Sequence, residues 1–108
     1  MTERRRLYLL EQLLRLYEAQ EGLCWTCGRI RKPEDMELAP RVAATKANIA
    51  LYSRAAVDDD DNKRAVCRGG MRAGVSCNDA CNLGGKPESA RKLMERIQRK
   101  LKGAVVEV

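Results

Sequence analysis

The chain has 108 residues, a length that corresponds to one domain, and it carries a formal net charge of +6. It contains no histidine, which excludes the side chain that most often serves as a general base near neutral pH. Three tyrosines, one tryptophan and no phenylalanine leave the core poor in large rings. A small domain of this composition needs additional stabilisation of its fold. The five cysteines can supply it as disulfides or as metal ligands.

An amphipathic helix is predicted at the N-terminus, over residues 1–21, with Thr2 as its N-cap and Gly22 as its stop signal. Its apolar stripe, which we expect to pack onto the domain because it lacks the heptads of a coiled coil, consists of Leu7, Leu10, Leu13, Leu14 and Tyr17. Glu11 and Arg15 interrupt the leucines, so the segment fits neither a signal peptide nor a membrane span. We therefore expect a cytoplasmic protein.

The cysteine spacing favours a metal site. Disulfides rarely persist in a reducing cytoplasm, and an odd number of cysteines does not form a closed disulfide framework. The stretch "CWTCG" holds Cys24 and Cys27 two residues apart before Gly28, the arrangement of a zinc knuckle, and Cys67, Cys77 and Cys81 offer a second pair. A thioredoxin-like redox pair and buried, unligated thiols are the alternatives. A zinc ion held by four cysteines would be structural, with no open position for catalysis.

Short elements are predicted between the cysteines and at the C-terminus. A strand is expected around residues 36–38, a helix over "TKANIALYS" with Thr45 as its cap, and a second strand at "RAVC". The C-terminal helix is predicted over residues 87–102, with Pro87 in its first turn. Its apolar stripe consists of Ala90, Leu93, Met94, Ile97 and Leu101.

The order of "CWTCG", "MELAPR", "TKANIALYS", "VDDDDN" and "CNDACNLG" resembles zinc-containing HNH endonucleases of phage and bacterial genomes, and it overlaps the related endonuclease VII pattern. The resemblance covers roughly residues 22–97. It implies an α+β fold, in which a small zinc-braced ββα-metal module over residues 22–84 is flanked by the N-terminal and C-terminal helices. It also implies a bacterial or phage-infected cell as the setting.

Carried over to this sequence, the resemblance implies roles for single residues. The zinc ligands would be Cys24, Cys27, Cys67 and Cys77, with Cys81 as a rival ligand because it lies one helical turn after Cys77. Asn62 falls on the central asparagine, which shapes the loop between the strands. Asn78 falls on the helix position that contributes to the catalytic metal site.

The departures from the family pattern predict impaired catalysis. Pro40 stands where the family has the histidine that activates the attacking water, and proline has no titratable group. Asp58 and Asp59 stand where paired histidines are frequent, and aspartate, with an unperturbed pKa of about 3.9, is a weak base. The run from Asp58 to Asp61 either collects one Mg²⁺ or Ca²⁺ ion or forms a solvated turn in which Asp60 or Asp61 caps backbone amides. A catalytic Mg²⁺ or Mn²⁺ ion would have Asp58 and Asn78 as its ligands.

Clusters of arginine and lysine predict a polyanionic partner. Arg4, Arg5 and Arg6 open the first helix. The candidates for phosphate contacts are Arg41, Lys63, Arg64, Arg68, Arg72, Arg96, Arg99 and Lys100. A solubilised helix face is the alternative for the C-terminal helix. Since few aromatic residues are available for base stacking, the sequence favours double-stranded DNA over single strands.

Three functions follow from these observations. The chain is expected to be an HNH-endonuclease-like zinc protein that binds DNA but has lost most or all cleavage. It can instead be an active Mg²⁺-dependent DNA endonuclease that uses Asp58, Asp59 and Asn78, or a zinc-braced protein-interaction or regulatory module. No membrane partner is expected, and the sequence leaves open whether the protein is a monomer or a homodimer.

Overall fold

The computed structural model describes residues 2–106, without the side chains of Arg72 and of residues 104–106, and it has an α+β fold. Within that range the helices are α1 (Glu3–Ala19), α2 (Lys46–Tyr52), α3 (Arg54–Asp58), α4 (Cys77–Cys81) and α5 (Pro87–Val106). The strands are β1 (Met36–Pro40), β2 (Lys63–Cys67), β3 (Met71–Arg72) and β4 (Val75–Ser76). None of the helices in the described part combines the length and apolar composition required to span a membrane.

Two short antiparallel sheets organise the centre of the chain. β1 pairs with β2 in a register that sets Met36 opposite Cys67 and Pro40 opposite Lys63. β3 pairs with β4 in a hairpin that leads directly into α4, and α4 packs against β1 and β2. The strands predicted at residues 36–38 and at "RAVC" are confirmed, and both extend slightly further than predicted.

The predicted helix starts are confirmed. Thr2 Oγ1 accepts a hydrogen bond from Arg5 N at 3.1 Å, and Thr45 Oγ1 accepts one from Asn48 N at 3.1 Å. Pro87 is the first residue of α5. α3 was not foreseen. Its N-cap is Ser53, whose hydroxyl oxygen accepts from Ala56 N at 3.2 Å.

The interior contains two clusters of buried side chains. The aliphatic core consists of Val42, Ala56, Val57, Leu83, Leu93, Met94 and Ile97. It confirms the predicted apolar stripe of α5, since Ala90 and Leu101 also pack against it. The cysteine core consists of Cys24, Ala39, Val66, Cys67, Cys77 and Cys81.

The predicted packing of the N-terminal helix is only partly correct: Leu13 and Tyr17 of the predicted stripe are half-buried, but its other three leucines are exposed. Leu7, Leu10 and Leu14 remain 52%, 49% and 40% exposed, whereas Gln12 is completely buried. Gln12 Nε2 donates to Asp58 O at 2.7 Å and to an Asp60 carboxylate oxygen at 2.9 Å. The inward side of the helix combines the half-buried Leu9, Leu13 and Leu16 with Gln12, because the acidic run at residues 58–61 offers acceptors for the Gln12 amide.

Candidate metal centre and adjoining basic surface

Four cysteines converge in the cysteine core. The sulfur atoms of Cys24, Cys27, Cys67 and Cys77 all lie within 4.8 Å of one another. Cys27 Sγ and Cys67 Sγ are 3.6 Å apart. Four sulfurs at the corners of a tetrahedron with metal–sulfur bonds of about 2.3 Å would be separated by about 3.8 Å, so the group has the size of a tetrahedral metal site.

Local backbone geometry places the first two thiols. The loop after α1 turns back at Gly28, whose φ of 74° is in the left-handed region and whose N–H donates to Cys24 O at 2.9 Å. Within this turn, Cys27 N donates to Cys24 Sγ at 3.4 Å. The loop is pinned to β2 because Trp25 N donates to Ala65 O at 3.0 Å.

The other two thiols come from the end of β2 and the start of α4. Cys67 N donates to Cys24 Sγ at 3.3 Å, which ties β2 to the knuckle. Cys77 N donates to Gly70 O at 2.8 Å, so the turn after β2 contacts the start of α4. A Cβ atom at Gly70 would lie 2.5 Å from Cys67 Cβ and 3.1 Å from Cys77 Sγ. The approach of these two cysteines therefore requires a glycine at position 70.

The electrostatics of the four thiols favour a bound cation. Burial raises the pKa of the Cys24 thiol, but backbone N–H donors from Cys27, Cys67 and Thr26 outweigh it and bring the pKa to about 6. Burial and the neighbouring Cys24 thiol raise the pKa of Cys77 to about 12. The group cannot hold several thiolates unless positive charge is added, which a divalent ion supplies.

Arg31 supplies part of that positive charge. Its Nε donates to Cys67 Sγ at 3.3 Å. The pKa of the Arg31 guanidinium is raised by this hydrogen bond and by the nearby Cys67 charge. Sequence reasoning missed Arg31, because its side chain reaches Cys67 only when the loop over residues 24–31 has folded back.

Cys81 lies outside the group. It is buried on α4, and its Sγ is 3.8 Å from Ala39 O. The geometry brings together the four cysteines that were favoured as ligands, and their rival, one turn further along α4, is not part of the group. The site could hold a metal ion, since its buried sulfur ligands and surrounding N–H donors fit one.

The two asparagines that the resemblance singled out lie in different places: Asn62 directly precedes β2, at the end opposite Cys67, and Asn78 follows Cys77 in α4. Asn62 is completely buried: its Oδ1 accepts from Val42 N at 2.9 Å, and its Nδ2 donates to Val42 O at 2.9 Å and to Val57 O at 2.8 Å. It thereby closes the connection between β1 and β2. Asn78 lies on α4 and donates through Nδ2 to a Glu37 carboxylate oxygen at 2.8 Å. Pro40 is partly exposed at the end of β1.

The acidic run is engaged by basic and amide side chains. Arg5 donates to both carboxylate oxygens of Asp58, at 3.1 and 3.2 Å, and Arg15 donates to both oxygens of Asp60, at 2.9 and 3.0 Å. Lys100 Nζ contacts Asp59 at 2.7 Å and Asp61 at 3.0 Å. Among residues 2–106, no carboxylate belongs to a group of three potential metal ligands. A magnesium ion at Asp58 stays a prediction, and it would have to displace Arg5.

Three of the predicted phosphate-binding residues converge with one further cation. A cavity of about 260 Å³ is lined by Arg41, Arg64, Leu83, Ser89, Lys92, Leu93 and Arg96. No carboxylate lines it, and its four cations form no ion pair with any described residue. Trp25 adjoins the cavity, with Arg41 Cζ 4.5 Å and Arg64 Cζ 5.3 Å from the centroid of its ring. Sequence reasoning assigned no role to Trp25 or Ser89, because no sequence pattern singles out either residue.

The remaining predicted phosphate-binding residues lie elsewhere. Lys63 is buried, and its Nζ lies 3.4 Å from Gln12 Oε1, so it does not reach the surface. Lys100 is paired with the acidic run. Arg68 donates to Met36 O at 3.2 Å, and Arg99 is exposed on α5. The side chain of Arg72 lies outside the described part.

Comparisons with protein-family models, with curated proteins and with solved structures returned no significant match. The functional reading of this chain therefore rests on the chemistry of the cysteine group and of the basic cavity beside it.

Proposed function

We propose that this chain is a zinc-braced, HNH-endonuclease-like module that binds DNA and cleaves it weakly or not at all. The observation that carries the proposal is the convergence of Arg41, Arg64, Lys92 and Arg96 on one cavity beside the cysteine loop. Cations that neutralise carboxylates contribute to folding, whereas unpaired cations grouped on one surface attract a polyanion.

The choice of zinc follows from the ligands. Four cysteine sulfurs within 4.8 Å of one another form the ligand set of a structural zinc site. Soft thiolate ligands disfavour magnesium, calcium and manganese, which prefer oxygen. When bound, the ion holds the loop at residues 24–27, the end of β2 and the start of α4 together.

Support for the HNH-like assignment comes from the unit built on β1, β2 and α4. Two antiparallel strands carry a helix across them, and the buried Asn62 closes the connection between the strands. Pro40 lies at the end of β1, the position at which the resemblance requires a general base. Proline cannot accept a proton, and a positioned general base typically contributes about 10²–10⁴-fold to the rate.

DNA binding is tested by measuring the affinity for a fluorescein-labelled duplex between 50 and 200 mM salt, conditions in which phosphate contacts weaken steeply. We expect the affinity to fall with salt. The variant Arg64→Gln/Arg96→Gln should flatten the logarithmic slope by about 0.9 for each phosphate contact that it removes. Arg91→Gln is the control, because Arg91 is already paired with Glu88 and Glu95 on the same helix. A salt-independent affinity, or no binding at 50 mM salt, would refute the proposal.

A second candidate function is a protein-interaction module. The observation that favours it is the exposed row of Leu7, Leu10 and Leu14 on α1. These residues follow one another at helical spacing and lie on the face opposite Gln12. Measurement of the mass in solution, for the original chain and for Leu10→Glu, distinguishes a self-associating surface from an exposed leucine row without a partner.

A further inference from the structure

We propose that the basic cavity binds one phosphate of a DNA strand while Trp25 stacks on an adjacent unpaired base, so that the protein prefers DNA with unpaired bases to a fully paired duplex. This inference rests on the proposed DNA binding and names the form of DNA that the site accepts. It departs from the preference for double-stranded DNA that the sequence suggested.

The cavity has the charge and size for one phosphate. Its volume of about 260 Å³ is below the range typical of sites for drug-sized molecules, and three guanidinium groups with one ammonium group line it. Arg64 is held in place because its Nη1 donates to Asp61 O at 2.9 Å and to Lys63 O at 2.7 Å. The guanidinium is thus fixed before any ligand binds, which favours recognition of a phosphate oxygen.

A donor within this group is left without a partner. Arg41 Nε is buried and makes no hydrogen bond with any described residue. Burial lowers the pKa of the Arg64 guanidinium, and the neighbouring positive charges of Arg41 and Arg96 lower it further. An anion in the cavity would relieve this repulsion and can accept hydrogen bonds from the same cations.

Trp25 extends the site beyond the phosphate. The residue is 43% exposed even though Arg41 and Arg64 contact its ring. The two arginines that line the cavity therefore also orient the ring, so a phosphate in the cavity and a base on the exposed part of the ring can belong to neighbouring positions of one strand. An exposed, oriented tryptophan beside a phosphate-sized cavity is the combination that recognises a nucleotide.

Base pairing decides which DNA can use this ring. In a duplex each base is stacked between its neighbours, so its face is not available to a protein side chain without unstacking. In a single strand the base face is accessible, and stacking on an aromatic side chain typically changes affinity by about 5- to 150-fold per base. The cavity alone would favour the duplex, whose phosphate charge density is higher, so a preference for the single strand reports on Trp25.

The test compares a single strand of mixed sequence with its duplex, at equal phosphate concentration and in the same salt, using the metal-loaded full chain. Trp25 is the only tryptophan of the chain, so its fluorescence reports directly on the ring. We expect the single strand to quench this fluorescence and to bind at least about 5-fold more tightly than the duplex. Trp25→Leu should remove the preference, because it should weaken binding of the single strand at least about 5-fold more than binding of the duplex.

Variants on α5 separate the cavity from general charge. Arg96→Gln should weaken binding of both DNA forms, whereas Arg99→Gln, an exposed position that does not line the cavity, should weaken it less. Equal affinity for the two DNA forms, or a single strand that leaves the fluorescence of the unsubstituted chain unchanged, would overturn the inference and leave DNA binding intact. Absence of salt-dependent binding to either form would instead overturn the proposed function.

Discussion

The thiols of Cys27 and Cys67 lie 3.6 Å apart, although 40 positions separate the two residues in the chain. The distance between the two sulfur atoms is well beyond the bond length of a disulfide, which is about 2.05 Å. It is close to the distance between two sulfurs bound to one tetrahedral ion. Two distant parts of the sequence therefore meet in a group of free thiols that could hold one metal ion.

The first prediction concerns metal content. We expect one zinc ion per chain and a strong loss of thermal stability when a chelator removes it, since structural zinc in small modules contributes about 10–16 kcal/mol of apparent binding energy. Cys77→Ser should abolish stoichiometric binding, as measured by elemental analysis. Cys81→Ser is the matched control on the same helix and should retain it. Equal zinc loss in both variants would contradict the assignment of the fourth ligand.

The second prediction concerns Gly70. Gly70→Ala introduces a Cβ atom that overlaps Cys67 Cβ, so we expect it to lower the free energy of unfolding by about 1–3 kcal/mol and to weaken metal binding. A chelator-competition titration measures the second effect. Gly85→Ala is the control, because a Cβ atom there meets nothing within 4 Å. If both variants bind metal as the original chain does, the close approach at residue 70 is not required.

The third prediction concerns pH. Metal ligation needs thiolates, and burial raises the pKa of both Cys67 and Cys77 above the ordinary value of 9.0, whereas Cys24, with a pKa of about 6, is already ionised at pH 7. Cys67 and Cys77 must each release a proton on binding, so zinc affinity should rise at least about 100-fold per pH unit near neutrality. Titrations in buffers of different pH measure this slope. An affinity that is constant with pH would show that the thiols are not the ligands.

The fourth prediction is that replacing a glutamine of α1 destabilises the protein more than replacing a leucine of the same helix. Gln12→Leu should cost about 1–3 kcal/mol of unfolding free energy, because it leaves the buried Lys63 ammonium and the Asp58 carbonyl without their amide partner. Leu10→Ala should change stability by less than about 0.5 kcal/mol, since Leu10 is exposed. Denaturant unfolding of the metal-loaded protein measures both. A larger loss for Leu10→Ala would mean that the leucine row is covered in solution.

The fifth prediction concerns cleavage. We expect weak or no nicking of supercoiled plasmid by the unsubstituted chain in Mg²⁺ or Mn²⁺, with a chelator control. Pro40→His should recover part of the rate, up to about 10²–10⁴-fold, because it restores a proton acceptor at the end of β1. Asp59 is left unchanged in this variant, since it accepts hydrogen bonds from Lys100 and from Asp61 N. Efficient nicking by the unsubstituted chain would show that catalysis does not depend on position 40.

Local signals made much of the fold predictable. The caps at Thr2 and Thr45, the stripe of α5 and the "CWTCG" knuckle each depend on residues close together in sequence. The meeting of the knuckle with Cys67 and Cys77 was accessible only through a resemblance, because spacing does not determine which distant cysteines meet.

The orientation of α1 was not predictable from its periodicity. Leucines occupy several sides of this helix, at positions 7, 9, 10, 13, 14 and 16, so the sequence defines no single buried face. The side that docks is selected by the acidic run some 45 residues later, through contacts such as Arg15 with Asp60. The position of Trp25 beside the basic cavity was unpredictable for the same reason, since its neighbours Arg41 and Arg64 come from distant parts of the sequence.

The attachment of α1 has a consequence for the dynamics of the whole chain. None of its residues belongs to the aliphatic core or to the cysteine core, and several of its side chains form hydrogen bonds and ion pairs with the run at residues 58–61. An element that contributes no residue to either core is expected to open at a lower free energy than the elements that form them. Its amides should exchange with deuterated solvent before those of β2, and added salt should accelerate that exchange by screening the ion pairs.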